Sequence, residues 1–396
     1  MAPSLPDLLA ELDQAAASPF AQASALPPGL YRSPELLALE RERLFHRGWV
    51  CLGRTADIPE TGDYLTFTIG EQPVFALRGR DGAVRCFANV CRHRMMRLLE
   101  GQGQCRHIVC PYHAWTYDLD GRLLRAPFMK ETPEFATDEV RLAELSCEIW
   151  QGWIYASLDP DAPSLSDQLA PLEDAVGRYR MADYVPVVMQ DHVWQTNWKV
   201  LTENFMEGYH LPVSHAKTVG AWFPTKETRF PDERFEAFTY QTFPKTADAT
   251  YGLAHADNDV LEGAWRHTTV MPTVFPSHMY VLAPDHLWYL SLNPRSVGEV
   301  EVRFGAALAP EVYAGLEDRT TALAEMVDFF DRVNEEDRHV VEAIYANSAA
   351  PLSEAGRLSW LERELHDFHC YLARALTAKE PPTAAIAEPR ALRSLP

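Results

Sequence analysis

The sequence predicts an α+β chain in which an all-β module precedes a mixed domain of antiparallel sheet and helices. Three observations predict it. Between Trp49 and Leu158, short β-rich pieces (DYLTFTIG, PVFALRG, VRCFANV, HIVCPYHAWTYD, CEIWQGWIYASL) alternate with Gly, Asp and Pro turns. Beyond Pro160, six strand-like segments and several helical ones follow one another. The 396 residues are 47% apolar and 23% charged, which excludes a disordered or fibrous chain and suffices for two or three cores.

In chain order, Leu5 to Leu12 reads as a short amphipathic helix. A second helix is predicted over Ser33 to Arg47, with Ser33 as N-cap and Pro34 in the first turn. In the β module, Asp118 to Gly121 reads as a turn between two strands. A polar stretch, DPDAPSLSDQ, links the two domains. Next come a helix near 168–179, a strand near 185–194 and a helix over Thr196 to Tyr209. Strands are predicted at 235–243, 265–271, 278–283, 286–293 and 299–308, and helices at 310–346 and 353–376. These give residues 1–40 as an N-terminal helical arm, 41–158 as the β module, 159–378 as the mixed domain and 379–396 as a Pro- and Ala-rich tail.

With 36 Lys+Arg against 56 Asp+Glu, the net charge is −20. That argues against nucleic acid or an anionic membrane as partner. No membrane span and no secretory signal are read in the chain. Of 7 cysteines, five fall within 86–147, a clustering that points to a metal site in a reducing cytoplasm rather than a disulfide framework.

Two constellations carry chemistry. Cys91 and His93 are followed, after sixteen intervening residues, by Cys110 and His113. Each loop offers one thiolate and one imidazole. Zinc fingers usually pair Cys with Cys and His with His. The mixed prongs suit a [2Fe–2S] centre of Rieske type, one iron held by both Cys and the other by both His; zinc is the alternative. Cys51, Cys86, Cys105, Cys147 and Cys370 read as buried or edge thiols.

The second constellation is NWKVLTENFMEGYHLPVSH, residues 197–215. His210 and His215 are five apart, about 140° out of phase on a regular helix. Pro212 is expected to break the helix and let His215 swing back. Glu207, three before His210, is placed to hold its imidazole or take a proton from it. A third ligand for a facial triad comes from the late helix. Asp337 falls on its apolar stripe with Leu323, Met326, Val327, Phe330, Val333, Val340, Val341 and Ile344, whereas Glu335 and Glu336 point elsewhere by phase. The competing reading of Asp337 is a salt bridge to Arg332 or Arg338.

Together these stretches resemble the catalytic α subunits of Rieske non-haem iron aromatic-ring-hydroxylating oxygenases. The match rests on Cys91-Arg92-His93-Arg94, on Cys110 to Tyr117 with Asp118 to Leu123, and on Asn197 to Lys199, Glu203, Asn204, Glu207, His210 and His215, and it spans about residues 40–375. The resemblance implies a helix-grip (START-like) second domain. It implies Cys91, His93, Cys110 and His113 as cluster ligands and His210, His215 and Asp337 as ligands of a mononuclear Fe(II). Asn204 matches a family residue near that iron. Glu207 takes the place of the carboxylate that bridges to the Rieske histidine of a neighbouring subunit. A Glu there resembles the carnitine, glycine-betaine and stachydrine branch. Met95 and Ala114 stand where the family usually has Gly.

By the same resemblance, O2 is co-substrate. Electrons come from NAD(P)H through a partner reductase or ferredoxin, and the assembly is a head-to-tail homotrimer. The reaction is hydroxylation of a small organic molecule: oxidative N-demethylation or C–N cleavage of a quaternary ammonium compound, or alternatively hydroxylation of an aromatic ring or acid. A Rieske electron carrier is the reading from another class, and it would not need the second constellation. The substrate pocket is expected to draw on Trp222, Phe223, Phe275, Tyr280, Trp288 and Tyr289. That aromatic set suits a trimethylammonium group or is simply core.

Overall fold

The alternation read in residues 49–158 does form short antiparallel strands. The computed structural model describes residues 3–246, 249 and 251–378; the tail predicted at 379–396 lies outside them. Within one compact unit, residues 45–165, the strands are β1 (Val50–Arg54), β2 (Asp63–Ile69), β3 (Gln72–Arg78), β4 (Val84–Ala88), β5 (Gln102–Gln104), β6 (Ile108–Val109), β7 (Thr116–Tyr117), β8 (Leu123–Arg125), β9 (Ser146–Trp150) and β10 (Trp153–Ser157). They pair as three small antiparallel sheets, ordered β4-β3-β2-β5, β1-β10-β9 and β6-β7-β8. The β9–β10 hairpin turns through Gln151 and Gly152, both with positive φ, the backbone that matches the twist of the flanking strands. Asp118 makes the predicted turn, its Oδ1 accepting from the N–H groups of Asp120 and Arg122. The core of this unit includes Phe75, Phe87, Ile108, Trp115 and Tyr117, and the buried Cys91 and Cys110 sit against them.

The other unit contains residues 3–44 and 166–378. The N-terminal residues are therefore part of this unit, not a separate arm. Helix α1 (Leu5–Ala17) starts at a Ser4–Asp7 capping box, and α2 (Pro34–Glu40) at Ser33, whose Oγ accepts from the Leu36 N–H. Residues 41–46 continue α2 as a π-helical turn. The linker leads into α3 (Leu165–Val176). A single six-stranded antiparallel sheet follows, made of β11 (Val185–Trp194), β12 (Phe238–Pro244), β13 (Thr268–Val274), β14 (His278–Leu282), β15 (His286–Ser296) and β16 (Glu299–Leu308), in the order β11-β16-β15-β14-β13-β12. Between β11 and β12 lie α4 (Trp198–Phe205) and the one-turn α5 (Leu211–Ser214). The chain then continues through α6 (Pro310–Ala314), the 29-residue α7 (Arg319–Asn347) and α8 (Arg363–Thr377). This is the helix-grip arrangement: a curved antiparallel sheet with a long helix packed on one face. Phe330 of α7 contacts Trp288 and Phe304 on that face.

Several boundaries differ from expectation for local reasons. The helix expected at 310–346 is interrupted after Ala314, and α7 restarts where Asp318 caps the Thr321 N–H. α8 begins at Arg363 rather than 353, behind the Ser359–Glu362 capping box. α4 ends at Phe205, so 206–209 are turn. Buried beneath α4, Lys199 Nζ meets Glu40 Oε1 at 2.5 Å, while Trp198 Nε1 donates to Glu40 Oε2 at 2.8 Å. This pair ties α2 to α4 out of water, where leaving either charge alone costs about 3–5 kcal/mol.

Candidate metal centres and active site

His210 and His215 sit at the two ends of α5, as its N-cap and C-cap residues. Pro212 does not break a helix there. It occupies the first turn, where a missing N–H costs nothing, and so opens this short helix. One turn brings the rings to 5.1 Å between centroids. The segment after them folds back tightly, so that a Cβ at Gly220 would come within 2.5 Å of the Leu211 carbonyl oxygen; only glycine fits.

Asp337 of α7 closes the set. Its Oδ1 lies 3.0 Å from His215 Nε2 and 3.6 Å from His210 Nε2. The three side chains offer ligand atoms that all lie within 4.8 Å of one another, and they are the one such group found among the described residues. The salt-bridge alternative for Asp337 is not what forms. Arg338 pairs with Glu335 at 2.5 Å, and Arg332 lies over the Phe329 ring.

A second layer orients both rings. His210 Nδ1 is 2.5 Å from Glu207 Oε1, and His215 Nδ1 is 2.8 Å from Glu336 Oε2. With Nδ1–H given to a carboxylate, each Nε2 keeps its lone pair for a metal. Glu207 lies past the end of α4, not on its face. Its Oε2 accepts from the N–H groups of Tyr209 and His210, which fixes the carboxylate in the turn. Glu336 takes a further bond from Thr218 Oγ at 2.5 Å. Helical phase alone sets Glu336 aside; what recruits it is the return of 215–218 alongside α7, which no local pattern in the sequence announces.

The electrostatics agree with a dication site. Burial pulls the His215 pKa down, but bonds to Asp337 and Glu336 outweigh it and hold it at about 8. For His210, burial acts the same way and the Glu207 bond reverses it, leaving a net upward shift. Three carboxylates around two imidazoles thus hold positive charge in the metal-free chain, which a divalent ion supplies when bound. Two histidines and one carboxylate with open positions are the donor set of non-haem Fe(II).

The two loops of the smaller unit are built alike. Cys91 N donates to Met96 O and Met95 N to Cys91 O; Cys110 N donates to Trp115 O and Ala114 N to Cys110 O. Each loop passes through a left-handed residue, Met95 at φ 58° and Ala114 at φ 55°. That is why glycine is the natural occupant of both positions. The His93 and His113 rings lie 4.7 Å apart, and His93 stacks on Trp115. His93 Nδ1 is buried with no hydrogen-bond partner, as expected of an atom awaiting a metal. Burial pushes the Cys91 thiol up, a penalty on the thiolate that a bound metal would offset. Tyr117 was not singled out by the sequence, yet its OH lies 3.2 Å from Cys91 Sγ and accepts from the Arg92 N–H. With one thiolate and one imidazole on each loop and the two imidazoles side by side, the four side chains fit a two-iron cluster better than a Cys pair facing a His pair at one zinc.

The six aromatics expected in the pocket part company. Trp288, on the α7 side of the sheet, meets Phe205 and Phe330. Trp222 stacks between Tyr251 and Phe329, and Phe223 packs on Phe243. Tyr280 and Tyr289 are cross-strand partners, and by strand alternation they occupy the opposite face from Trp288. Phe275 packs against Phe368 and Tyr371 of α8. Asn204 is buried on α4.

Comparison with known proteins agrees with this geometry. Residues 178–378 match the family model of the ring hydroxylating alpha subunit (catalytic domain), and residues 48–136 match the Rieske [2Fe-2S] domain. The glycine betaine monooxygenase oxygenase subunit of Chromohalobacter salexigens is 36% identical over 208 residues, covering 52% of this chain and 46% of that protein. The chain thus spans about half the length of that relative. The carnitine monooxygenase oxygenase subunit of Escherichia coli K12 is 28% identical over 259 residues, covering 64% of this chain and 68% of that one. Among solved structures, a quaternary ammonium Rieske monooxygenase described with carnitine oxidation and inter-subunit electron transfer superposes with TM-score 0.76 at 22% identity, over 91% of this chain and 97% of its own. Among the described residues, no helix is long and apolar enough to cross a membrane.

Two outcomes test the site. Glu336→Ala is expected to weaken iron binding about 10–100-fold, read as iron lost on dialysis against a chelator, with Glu336→Gln retaining more because its amide oxygen still accepts from Nδ1–H. Ala114→Gly is expected to raise the stability of the smaller unit by about 0.5–1 kcal/mol, the left-handed strain relieved less the added unfolded-state entropy, with the visible spectrum unchanged; chemical denaturation measures it.

Proposed function

The chain belongs to the ring-hydroxylating α-subunit family, and from that premise we propose that it is the terminal oxygenase of an O2-dependent system acting on a small quaternary ammonium compound. The observation that carries the reading is the convergence of His210, His215 and Asp337 with a carboxylate behind each imidazole. The pair of mixed Cys/His loops in the same chain supplies the electron entry that such a centre needs. When bound, the mononuclear iron supplies O2 activation and the [2Fe–2S] cluster supplies electrons one at a time. Cys91, His93, Cys110 and His113 are the proposed cluster ligands, and His210, His215 and Asp337 the proposed iron ligands. The protein's own part is to fix the two rings, exclude water and position the substrate.

The substrate class rests on further features. An open depression of about 700 Å³ beside α7 is lined by Glu325, Asp328, Phe329, Asp331 and Arg332. Three carboxylates there favour a cation. Phe329, one of the lining residues, stacks on Trp222, and an aromatic face beside carboxylates suits a quaternary nitrogen. Glu207 in place of the more usual Asp agrees with the betaine and carnitine relatives. Hydroxylation next to the quaternary nitrogen then ends in N-demethylation or C–N cleavage. An aromatic acid as substrate is the second reading, and the three carboxylates of that depression disfavour it.

Glu207 is the proposed contact to a Rieske histidine of a neighbouring subunit in a homotrimer. The cluster loops suit such a contact. Met95, Met96, Tyr112 and Phe128 are exposed around them, together with Arg92, Arg94 and Arg97, on a chain of net charge −20. An NAD(P)H-dependent reductase or ferredoxin is the proposed electron source, and the cytoplasm, reducing enough for ferrous iron and free thiols, the proposed location.

Purified protein is expected to be red-brown, with about three irons and about two acid-labile sulfides per chain, and to consume O2 with glycine betaine or carnitine and a surrogate reductase. Two irons alone, with no substrate-dependent O2 uptake, would point to an electron carrier. Glu207→Gln is expected to keep both metals, because its amide oxygen still holds His210 Nδ1–H, while turnover falls more than about tenfold. Loss of the mononuclear iron in that variant would make Glu207 a bracing residue only.

A further inference from the structure

The turn after α4 carries both Glu207 and His210, and β12 lies against it. Gln241 of β12 is fully buried. Its Nε2 donates to the Met206 carbonyl oxygen at 2.8 Å. That oxygen belongs to the peptide joining Met206 to Glu207. A carbonyl oxygen only accepts, so the NH2 end of the Gln241 amide faces it. The other end, Oε1, is buried with no hydrogen-bond partner among the described residues.

An unpaired acceptor held out of water costs stability. The surroundings of Gln241 do not call for a polar residue. Met271 is its cross-strand partner, and Phe243 shares its side of β12. A methionine of similar length would fill the place with no polar atom left over. What the glutamine adds is the bond to Met206. As the C-cap residue of α4, Met206 lies where a helix leaves its carbonyls without helical partners, and it is buried.

The platform behind that bond is rigid. β12 is laddered to β13 on one side, and on the other Thr242 exchanges backbone bonds with Arg229 at 2.9 and 3.0 Å. A Cβ at Gly208 would lie 3.3 Å from the Phe243 ring, so the turn rests on this strand at a second point. Within the turn, Glu207 Oε2 accepts from the N–H groups of Tyr209 and His210, and Oε1 lies 2.5 Å from His210 Nδ1. Those internal bonds fix the carboxylate relative to His210. Gln241 and Phe243 fix the turn relative to the sheet.

We propose that Gln241 is a positioning residue for electron entry: by holding the Met206–Glu207 peptide, it sets the direction in which Glu207 is presented to the neighbouring subunit. This rests on the bridging role proposed for Glu207 above and adds to it a residue from a different element of the fold. The demand on geometry is steep, since misplacing a reacting group by about 1 Å can cost about 100-fold in rate.

The test is rapid-freeze EPR of oxidised, metal-loaded protein mixed with dithionite, in which loss of the ferric mononuclear signal follows reduction of the cluster. Gln241→Met, Glu207→Gln and the double variant are compared with wild type, and amide hydrogen exchange over 206–210 is measured on the metal-free chains. Gln241→Met is expected to keep about three irons per chain and the cluster's visible spectrum while loss of the ferric signal slows about 10–100-fold. Exchange at Tyr209 and His210 is expected to rise in the same variant. Because Gln241 acts through Glu207, the double variant is expected to stay within about twofold of Glu207→Gln alone. The retained iron and spectrum show that the variant is folded; if Gln241→Met does not fold, Gln241→Leu replaces it. Iron lost from Gln241→Met, or a double variant slowed by the product of the two single effects, makes Gln241 a general structural residue and overturns the proposal. A wild-type rate in Gln241→Met beside a slow Glu207→Gln overturns it as well. A wild-type rate in Glu207→Gln overturns the bridging reading itself, and the role of Gln241 with it.

Discussion

The whole arrangement depends on one kind of hydrogen bond, made twice: a carboxylate holding the Nδ1–H of a histidine so that Nε2 faces Asp337. Free to rotate, His210 and His215 would each offer either nitrogen in either direction, and three carboxylates would share a small volume with nothing to balance them. Held by Glu207 and Glu336, the rings are committed to one tautomer and one direction, and the negative charge around them matches a divalent ion. The bracing groups come from different parts of the chain. Glu207 belongs to the turn after α4, and Glu336 to α7, so docking of α7 is what completes the site.

The fold supplies that docking through ordinary packing. Phe330, Val333 and Val341 bury one stripe of α7, and the helix carries Asp337 and Glu336 between them. Ile344, read as part of the same stripe, is exposed, because the packed stripe ends at Val341. On the other side the close return at Gly220 brings Thr218 to Glu336 and leaves Trp222 and Phe223 as aromatic wall. A few residues after His215 therefore serve both the metal and the pocket.

Much of this was legible in the sequence because it is local. All six strands of the larger sheet were legible, β11 and β16 at their observed limits, because each is a short run of apolar and β-branched residues bounded by turn residues; burial alternates in β12 but is continuous in β13 and β14. The Cys/His prongs were legible because each loop carries its pair within four residues, and the mirrored bonding of Cys91 to Met96 and Cys110 to Trp115 explains why the spacing can be so short. Less legible was what depends on contact between distant segments. Helix phase turns Glu336 away from the site, because phase describes one helix and not the loop packed beside it. Pro212 reads locally as a breaker, whereas a one-turn helix gives it a first-turn place. Tyr280, Tyr289 and Phe275 were grouped with the pocket on aromatic density alone, although strand parity separates Tyr280 and Tyr289 from Trp288 and packing on α8 claims Phe275.

Anomalous diffraction at the iron edge from crystals of the metal-loaded protein locates the metals directly. An isolated iron peak is expected within bonding distance of His210 Nε2, His215 Nε2 and the Asp337 carboxylate, with Glu207 and Glu336 still on the two Nδ1 atoms. A separate pair of irons is expected between the Cys91–His93 and Cys110–His113 loops. No iron at the first position, or iron bound through Nδ1 with the carboxylates displaced, would contradict this arrangement.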